Sequence, residues 1–395
     1  MGVCMFGALM KAVFVFALGV VLCVAPGQVF SHEPVTRARA EIRLPDLPGL
    51  LTLKCDFHIH TVFSDGLVWP TVRAEEAWRE GLDAIAITDH IEYQPHKADV
   101  STNHNRAYDI AKPAGDSLEV MVIRGSEITR RMPPGHLNAI FLTNSTLLAT
   151  SNWFDAVAAA HAQGAFIFWN HPGWEAQTTN GLVLWYPEHT QLWERGMLHG
   201  IEVVNGRSYY PEAHRWAVEK NLAMISNSDI HAPLNMDYHV HDGDLRPVTL
   251  VFATERTPAA IKKALFARQT AVYAMNRLIG DEKFLRPLFE RSVRLNKPQY
   301  EIRGRGRALA QVANDSSMDF TLERTGEIPE LILPKKVVLP AMKTVLLEMR
   351  ASTNVVKGTR RIKLPYQVSN VLVGPAQPLQ DALTVEIKFT PTSAK

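Results

Sequence analysis

The sequence predicts an α/β protein: a TIM-like β/α barrel followed by a small all-β sandwich. Three observations carry that reading. From Leu53 to about Leu250, short apolar runs alternate with stretches of helical spacing, the pattern of repeated βα units. The runs are apolar throughout, which suits strands covered on both faces. After about residue 280 the helical spacing stops, and alternating runs separated by Pro, Gly and Asn take over, as in a sandwich of immunoglobulin-like size.

The apolar runs at 53–58, 83–89, 119–127, 138–142, 165–171, 200–205, 223–229 and 248–253 read as strands. TVRAEEAWREG, NWFDAVAAAHAQG, PEAHRWAVEKN and TPAAIKKALFARQ, between them, have helical spacing, and the first three close on a Gly or Asn stop. The sandwich runs are SVRLNKPQYEIRG, DFTLERTG, PELILPKKVVLP, TVLLEMRA, GTRRIKLPYQVSNV and ALTVEIKFTP. These boundaries give a linker at 32–52, a barrel at 53–282 and a sandwich at 283–395.

Residues 1–31 carry one charge, Lys11, ahead of the apolar stretch Ala12 to Ala25, and read as a secretory signal cleaved after Ser31. The rival reading is an uncleaved membrane anchor, but the apolar run is short for a full span. The mature protein is expected to be periplasmic or extracellular, with no transmembrane span. Cleavage lowers the formal charge from 42 − 40 = +2 to 41 − 40 = +1, so no extended nucleic-acid surface is expected. Cys4 and Cys23 leave with the signal. Cys55 remains, without a disulfide partner, and is expected to pack in the core. The sequence carries no signal for an oligomeric state.

The polar residues stand out against this frame. His58 and His60 end the first strand, Asp89 and His90 the second, Glu127 the third, His171 the fifth, and Asp229 and His231 the seventh. In a β/α barrel these carboxyl ends share one rim and converge on one pocket. His136 is the exception, since it precedes its strand. Imidazoles and carboxylates together suit Zn, Mn or Fe, and a carboxylate such as Glu127 can bridge two ions. The sandwich contains no histidine, so the chemistry belongs to the barrel.

HIH (58–60), SDG (64–66), ITDH (87–90), GSE (125–127), GH (135–136), NHPG (170–173) and SDIH (228–231) resemble, in order, the motifs of the PHP domain, named for polymerase and histidinol phosphatase. That amidohydrolase-like family comprises metal-dependent phosphoesterases, and the resemblance covers roughly residues 53–270. It implies a distorted seven-stranded barrel holding three divalent ions. His58, His60, Glu127 and Asp229 would hold the first; Glu127, His136 and His171 the second; Asp65, His90 and His231 the third.

Other polar groups have plainer readings beside sharper ones. Asp89 either orients a ligand imidazole or caps the next helix, and the former is preferred. HVHDGD (239–244) reads as a polar loop. Arg130, Arg131 and Arg207 lie just beyond strand ends and are candidate phosphate contacts. Trp169, Trp174 and Trp185 surround NHPGW; packing explains them better than stacking on substrate.

The expected activity is hydrolysis of small extracellular phosphate esters, with hydroxide held between metals attacking phosphorus and Asp229 as proton acceptor. An amidohydrolase-type C–N or C–O hydrolase is the enzyme alternative, but it usually bridges its metals through a carboxylated lysine where this chain has Glu127. A non-catalytic metal- or ligand-binding envelope protein is the third reading.

Overall fold

In the computed structural model, which describes residues 36–178, 181–239 and 243–392, the first eight strands in chain order are β1 (Leu51–Asp56), β2 (Ala84–Ile87), β3 (Met121–Ile128), β4 (Leu137–Ile140), β5 (Phe166–Trp169), β6 (Gly200–Asn205), β7 (Ser208–Tyr209) and β8 (Ala223–Asn227). The expected signal, residues 1–31, lies outside the described residues. The chain divides into Met1–Arg37 and one compact unit, Ala38–Lys395. Seven of these strands follow one another around the barrel as β1-β2-β3-β4-β5-β6-β8, and β7 is a short return on β6. The ring closes beyond the strand ends, where Ile59 and Ile230 bridge in parallel.

Two strands depart from the expected parallel arrangement. β4 pairs antiparallel with both β3 and β5. The run at 248–253, β9 (Val248–Ala253), lies antiparallel to β1, and its Thr249 hydroxyl joins the backbone of Ser226 in β8. β9 continues through β10 (Thr270–Ala274) to β11 (Arg277–Gly280), all antiparallel.

The helices are α1 (Pro70–Arg79), α2 (Arg106–Ser117), α3 (Trp153–Ala162), α4 (Pro187–Glu194), α5 (Pro211–Glu219), α6 (Leu234–Asp237), α7 (Pro258–Phe266) and α8 (Glu282–Ser292). The four predicted helices correspond to α1, α3, α5 and α7. Proline opens α1, α5 and α7, where its missing N–H costs nothing and its φ is already helical. α2 and α8 each hold an internal proline, Pro113 and Pro287, which disguised them. α8 is therefore a correction: helix extends past residue 280, burying Phe284, Leu285, Leu288 and Phe289.

The sandwich strands are β12 (Val293–Leu295), β13 (Gln299–Arg303), β14 (Arg307–Asn314), β15 (Phe320–Arg324), β16 (Leu331–Ile332), β17 (Lys336–Leu339), β18 (Thr344–Ala351), β19 (Gly358–Gly374) and β20 (Gln377–Thr390). One sheet runs β12-β14-β18-β16; the other contains β13, β20, β19, β15 and β17. Alternate residues along β14 are buried, as expected of a strand with one face on a core. The second sheet is continuous with the barrel, because β19 pairs in parallel with β11 at Leu278↔Val371 and Ile279↔Leu372. Val371 belongs to a core cluster that runs from Ile85 and Leu250 in the barrel to Phe389 in the sandwich.

This continuity predicts one cooperative unfolding transition for both parts. Val371→Asp buries an unpaired charge and should lower that single transition by several kcal/mol. Two transitions by calorimetry, with only the later-melting or earlier-melting one shifted, would contradict the shared core.

Candidate metal centre

The rim is assembled by main-chain N–H groups that donate across from one loop to another. Phe57 N–H donates to Asn227 Oδ1, Asp229 N–H to the His58 carbonyl and His60 N–H to the Ile230 carbonyl. The chain leaving β1 is thereby laced to the chain leaving β8, which sets His58, His60 and Asp229 face to face. Gly66 of the SDG motif is required by contact: a Cβ there would lie 2.6 Å from Thr61 N and 2.7 Å from the His60 carbonyl carbon. The position of His136 follows from strand direction. β4 runs opposite to its neighbours, so its N-terminal end lies at the rim where the others end.

Around Glu127 the donors form two groups. His58 Nε2 and His60 Nε2 each lie 3.4 Å from Glu127 Oε2, and 3.0 and 3.1 Å from Asp229 Oδ1. A tetrahedral ion with bonds of about 2.1 Å has ligand atoms about 3.4 Å apart, and these four imidazole–carboxylate separations are near that size. The other oxygen, Glu127 Oε1, lies 2.7 Å from His136 Nδ1 and 3.5 Å from His171 Nε2. A third group forms at Asp65 Oδ1, 3.3 Å from His90 Nε2 and 3.2 Å from His231 Nε2. Sets whose donor atoms all lie within 4.8 Å of one another are His60, Asp65, His90 and His231; His58, His60 and Asp229; and His58, Glu127 and His171. His136 stands outside these tighter sets, and among the described carboxylates its ring pairs with Glu127.

The residues fit divalent cations by their orphaned atoms. His58 Nε2, His60 Nε2 and Glu127 Oε2 are buried and face one another, Asp65 Oδ1 faces His90 and His231, and none of the four has a hydrogen-bond partner. Buried polar atoms are rarely left so, and cations held in these separate groups would satisfy them. The charges agree. Burial opposes ionisation of Glu127, yet His90, His136 and His58 outweigh it and hold its carboxyl well below the ordinary range. Burial would lower His90 as well, but Glu127 and Asp65 raise it to about 10, whereas burial together with His231 and His90 takes His60 down to about 3.

Side chains behind the donors aim them. Glu202, which the sequence reading missed, is fully buried on β6; its Oε1 lies 2.9 Å from His58 Nδ1, and its Oε2 accepts from the His171 backbone N–H at 2.6 Å. Asn227 and Asn205 donate to the same carboxylate. Its sequence signal is an acid inside the apolar run GIEVVN. Asn170 donates to Glu127 Oε1 at 3.0 Å, and His231 Nδ1 meets the Asp229 carbonyl at 2.8 Å. Asp89 does not reach an imidazole, contrary to the preferred reading. Its oxygens accept from Thr61 N–H, the Thr61 hydroxyl and the Ser64 hydroxyl, which pins the loop between His60 and Asp65.

The candidate phosphate contacts have internal partners. Arg130 pairs with Glu92 at 2.8 Å and donates to the carbonyls of Thr150 and Ser151; Arg207 pairs with Asp244 at 2.5 Å. Arg131 is exposed and lines a cavity of about 410 Å³ with Met132, His136, Trp174 and Gln177. Trp169 is buried against His189 and Trp216, as packing predicts, but Trp174 is 46% exposed over the rings of His136 and His171. Val240, His241 and Asp242 of the HVHDGD loop lie outside the described residues. Cys55 is buried and free.

Barrel and rim together have the architecture and donor set of the PHP class. The chain belongs to that family: it is 43% identical to a two-domain protein from Bacteroides vulgatus containing a predicted PHP-like metal-dependent phosphoesterase, with a TM-score of 0.84 over 89% of this chain and 100% of that one. More distant are a proposed metal-dependent phosphoesterase from Bifidobacterium adolescentis (19% identity, TM-score 0.37, 45% of this chain and 87% of that one) and an amidohydrolase from Chromobacterium violaceum (16%, 0.36, 56% and 97%). Residues 293–384 match the family model of an Ig-like domain, DUF5001. No curated protein matches the chain.

Two predictions follow from the supports. Glu202→Gln weakens the hold on His58 and should reduce bound metal affinity by about 10–100-fold while the fold persists, measured by metal content after dialysis against graded chelator. His189 holds the loop before His136: its Nδ1 accepts from Tyr186 N–H, so Nε2 donates to the Pro134 carbonyl at 2.7 Å. Burial pushes His189 down to about 4, the Pro134 carbonyl partly opposing. The folded ring stays neutral where the unfolded ring gains a proton, so this contribution is complete above about pH 6.5 and falls as pH drops toward 4. In urea titrations His189→Gln should flatten the acid limb across that window; an unchanged slope would exclude the ring as its source.

Proposed function

We propose that the protein is an exported hydrolase of small phosphate esters working with three divalent ions. The observation that carries the reading is Glu127, whose two oxygens face separate donor groups. His58, His60, Glu127 and Asp229 would hold one ion, Glu127, His136 and His171 a second, and Asp65, His90 and His231 a third; the mixed imidazole and carboxylate donors suit Zn, Mn or Fe. When bound, such ions supply Lewis-acid activation of water and of the phosphoryl oxygens.

The chain's own groups then have distinct tasks. Asp229 turns Oδ1 to the imidazoles and Oδ2 toward Asn205 at 3.3 Å, and its side chain is 20% exposed, so Oδ2 is placed to take a proton from incoming water. Trp174 and Arg131 flank the approach beside His136. The cavity there accommodates a small ester, and a mature charge of +1 supports a small substrate over a polyanion. Export rests on the charge and apolar pattern of residues 1–31. The amidohydrolase alternative is disfavoured because Glu127, with an oxygen toward each donor group, would take the bridging role that a carboxylated lysine usually has there.

The test is hydrolysis of p-nitrophenyl phosphate by protein beginning at His32, supplied in turn with Mn, Zn and Fe. Metal-dependent turnover that falls to background in Glu127→Gln is the expected result. No turnover above that variant with any metal would remove the monoesterase reading.

A further inference from the structure

Behind the rim, on the side away from the donors, lies an arginine with every N–H engaged. Arg73 sits in the first turns of α1 and is fully buried. Its Nε donates to the His60 carbonyl at 2.8 Å. Nη1 donates to the Ala232 carbonyl at 2.9 Å and to Glu76 Oε2 at 2.8 Å, and Nη2 to the carbonyls of His231 at 2.7 Å and Ile230 at 3.1 Å. A guanidinium has five N–H donors in a fixed plane, and all are matched here. Four go to main-chain carbonyls of the two loops that carry His60 and His231.

The clamp extends through its neighbours. Glu76 Oε1 accepts from Leu234 N–H at 2.8 Å, so the Arg73 and Glu76 pair grips residues 230–234 from both directions. The His231 carbonyl also accepts from Leu67 N–H at 2.8 Å, which ties in the loop bearing Asp65. Four converging carbonyls repel one another, and no neutral side chain offers enough donors in one plane to hold them.

We propose that Arg73 is a positioning residue that sets the spacing of the Asp65, His90 and His231 ion site; this rests on the three-ion reading above. Lysine retains the charge but has a single ammonium, which reaches fewer of the carbonyls and relaxes the loop of His231 relative to His60.

The experiment loads the full protein with Mn²⁺ and follows metal content against graded chelator, with thermal unfolding of metal-free protein alongside. Arg73→Lys should weaken one ion by about 10–100-fold and leave the tighter ions near wild type. Asp65→Asn, which removes a donor from the same set, should release the same ion. Equal weakening of every ion in Arg73→Lys, or of none, overturns the proposal, since a merely structural role lowers the unfolding temperature without selecting an ion. If Asp65→Asn keeps the wild-type ion content, the three-ion reading falls and the proposal with it. Should Arg73→Lys fail to fold, Glu76→Gln, which loosens one arm of the clamp, is expected to weaken the same ion several-fold; wild-type binding there overturns the proposal equally.

Discussion

A carboxylate buried on β3 with imidazoles at both oxygens is the constraint on which the rest of the structure depends. Glu127 has no water to stabilise its charge, and burial alone would drive it toward the neutral acid. It remains ionised because His90, His136 and His58 outweigh burial, with His60 and His171 beside them, and these five rings come from three other strand ends and one strand start. No single loop can deliver so many rings to one point. A closed ring of short strands can, since each strand contributes one or two residues where it ends.

The donor residues were legible because H-x-H and its companions fall at the ends of apolar runs, where polar side chains are conspicuous. His60, Glu127 and Asp229 could be placed from run boundaries alone once the barrel was granted. Strand direction was not legible. The run at 138–142 has the composition of any buried strand, and only its pairing with β3 and β5 shows that it is reversed. That reversal is why His136, which precedes its strand, reaches the rim that the other ligands reach by ending theirs.

The supports behind the donors were hidden for a different reason. Glu202 and Arg73 look like an isolated acid in an apolar strand and an ordinary helix charge, and nothing local announces that each is fully buried and fully bonded. Arg246 is of the same kind: it lies buried between Asp56 and Glu80, and Asp56 in turn accepts from Ser228, the neighbour of Asp229. Many of these partners lie far away in sequence, Asn227 25 residues from Glu202, Ile230 157 from Arg73 and Asp56 190 from Arg246, so those pairings exist only after the ring has closed. α2 and α8 were masked by internal prolines, and α8 carries the chain from the barrel into the sandwich without the break that the change of pattern suggested.

The placement of charge bears on how an anion is recognised here. The buried arginines Arg73 and Arg246 serve carbonyls and carboxylates behind the loops and do not enter the donor cluster. Arg130 and Arg207, nearer the surface, are paired with Glu92 and Asp244. At the rim itself the carboxylates of Asp65, Glu127 and Asp229 are matched by imidazoles, of which His58, His90, His171 and His231 are raised by these carboxylates against the opposing effect of burial, so no free fixed cation stands among them for a phosphate. Under the three-ion reading, three divalent ions against three carboxylates would make the pocket positive where a phosphoryl group would sit. On that reading, ion loading is therefore the condition for substrate binding as well as for chemistry, and a dense arginine cluster at the mouth is unnecessary.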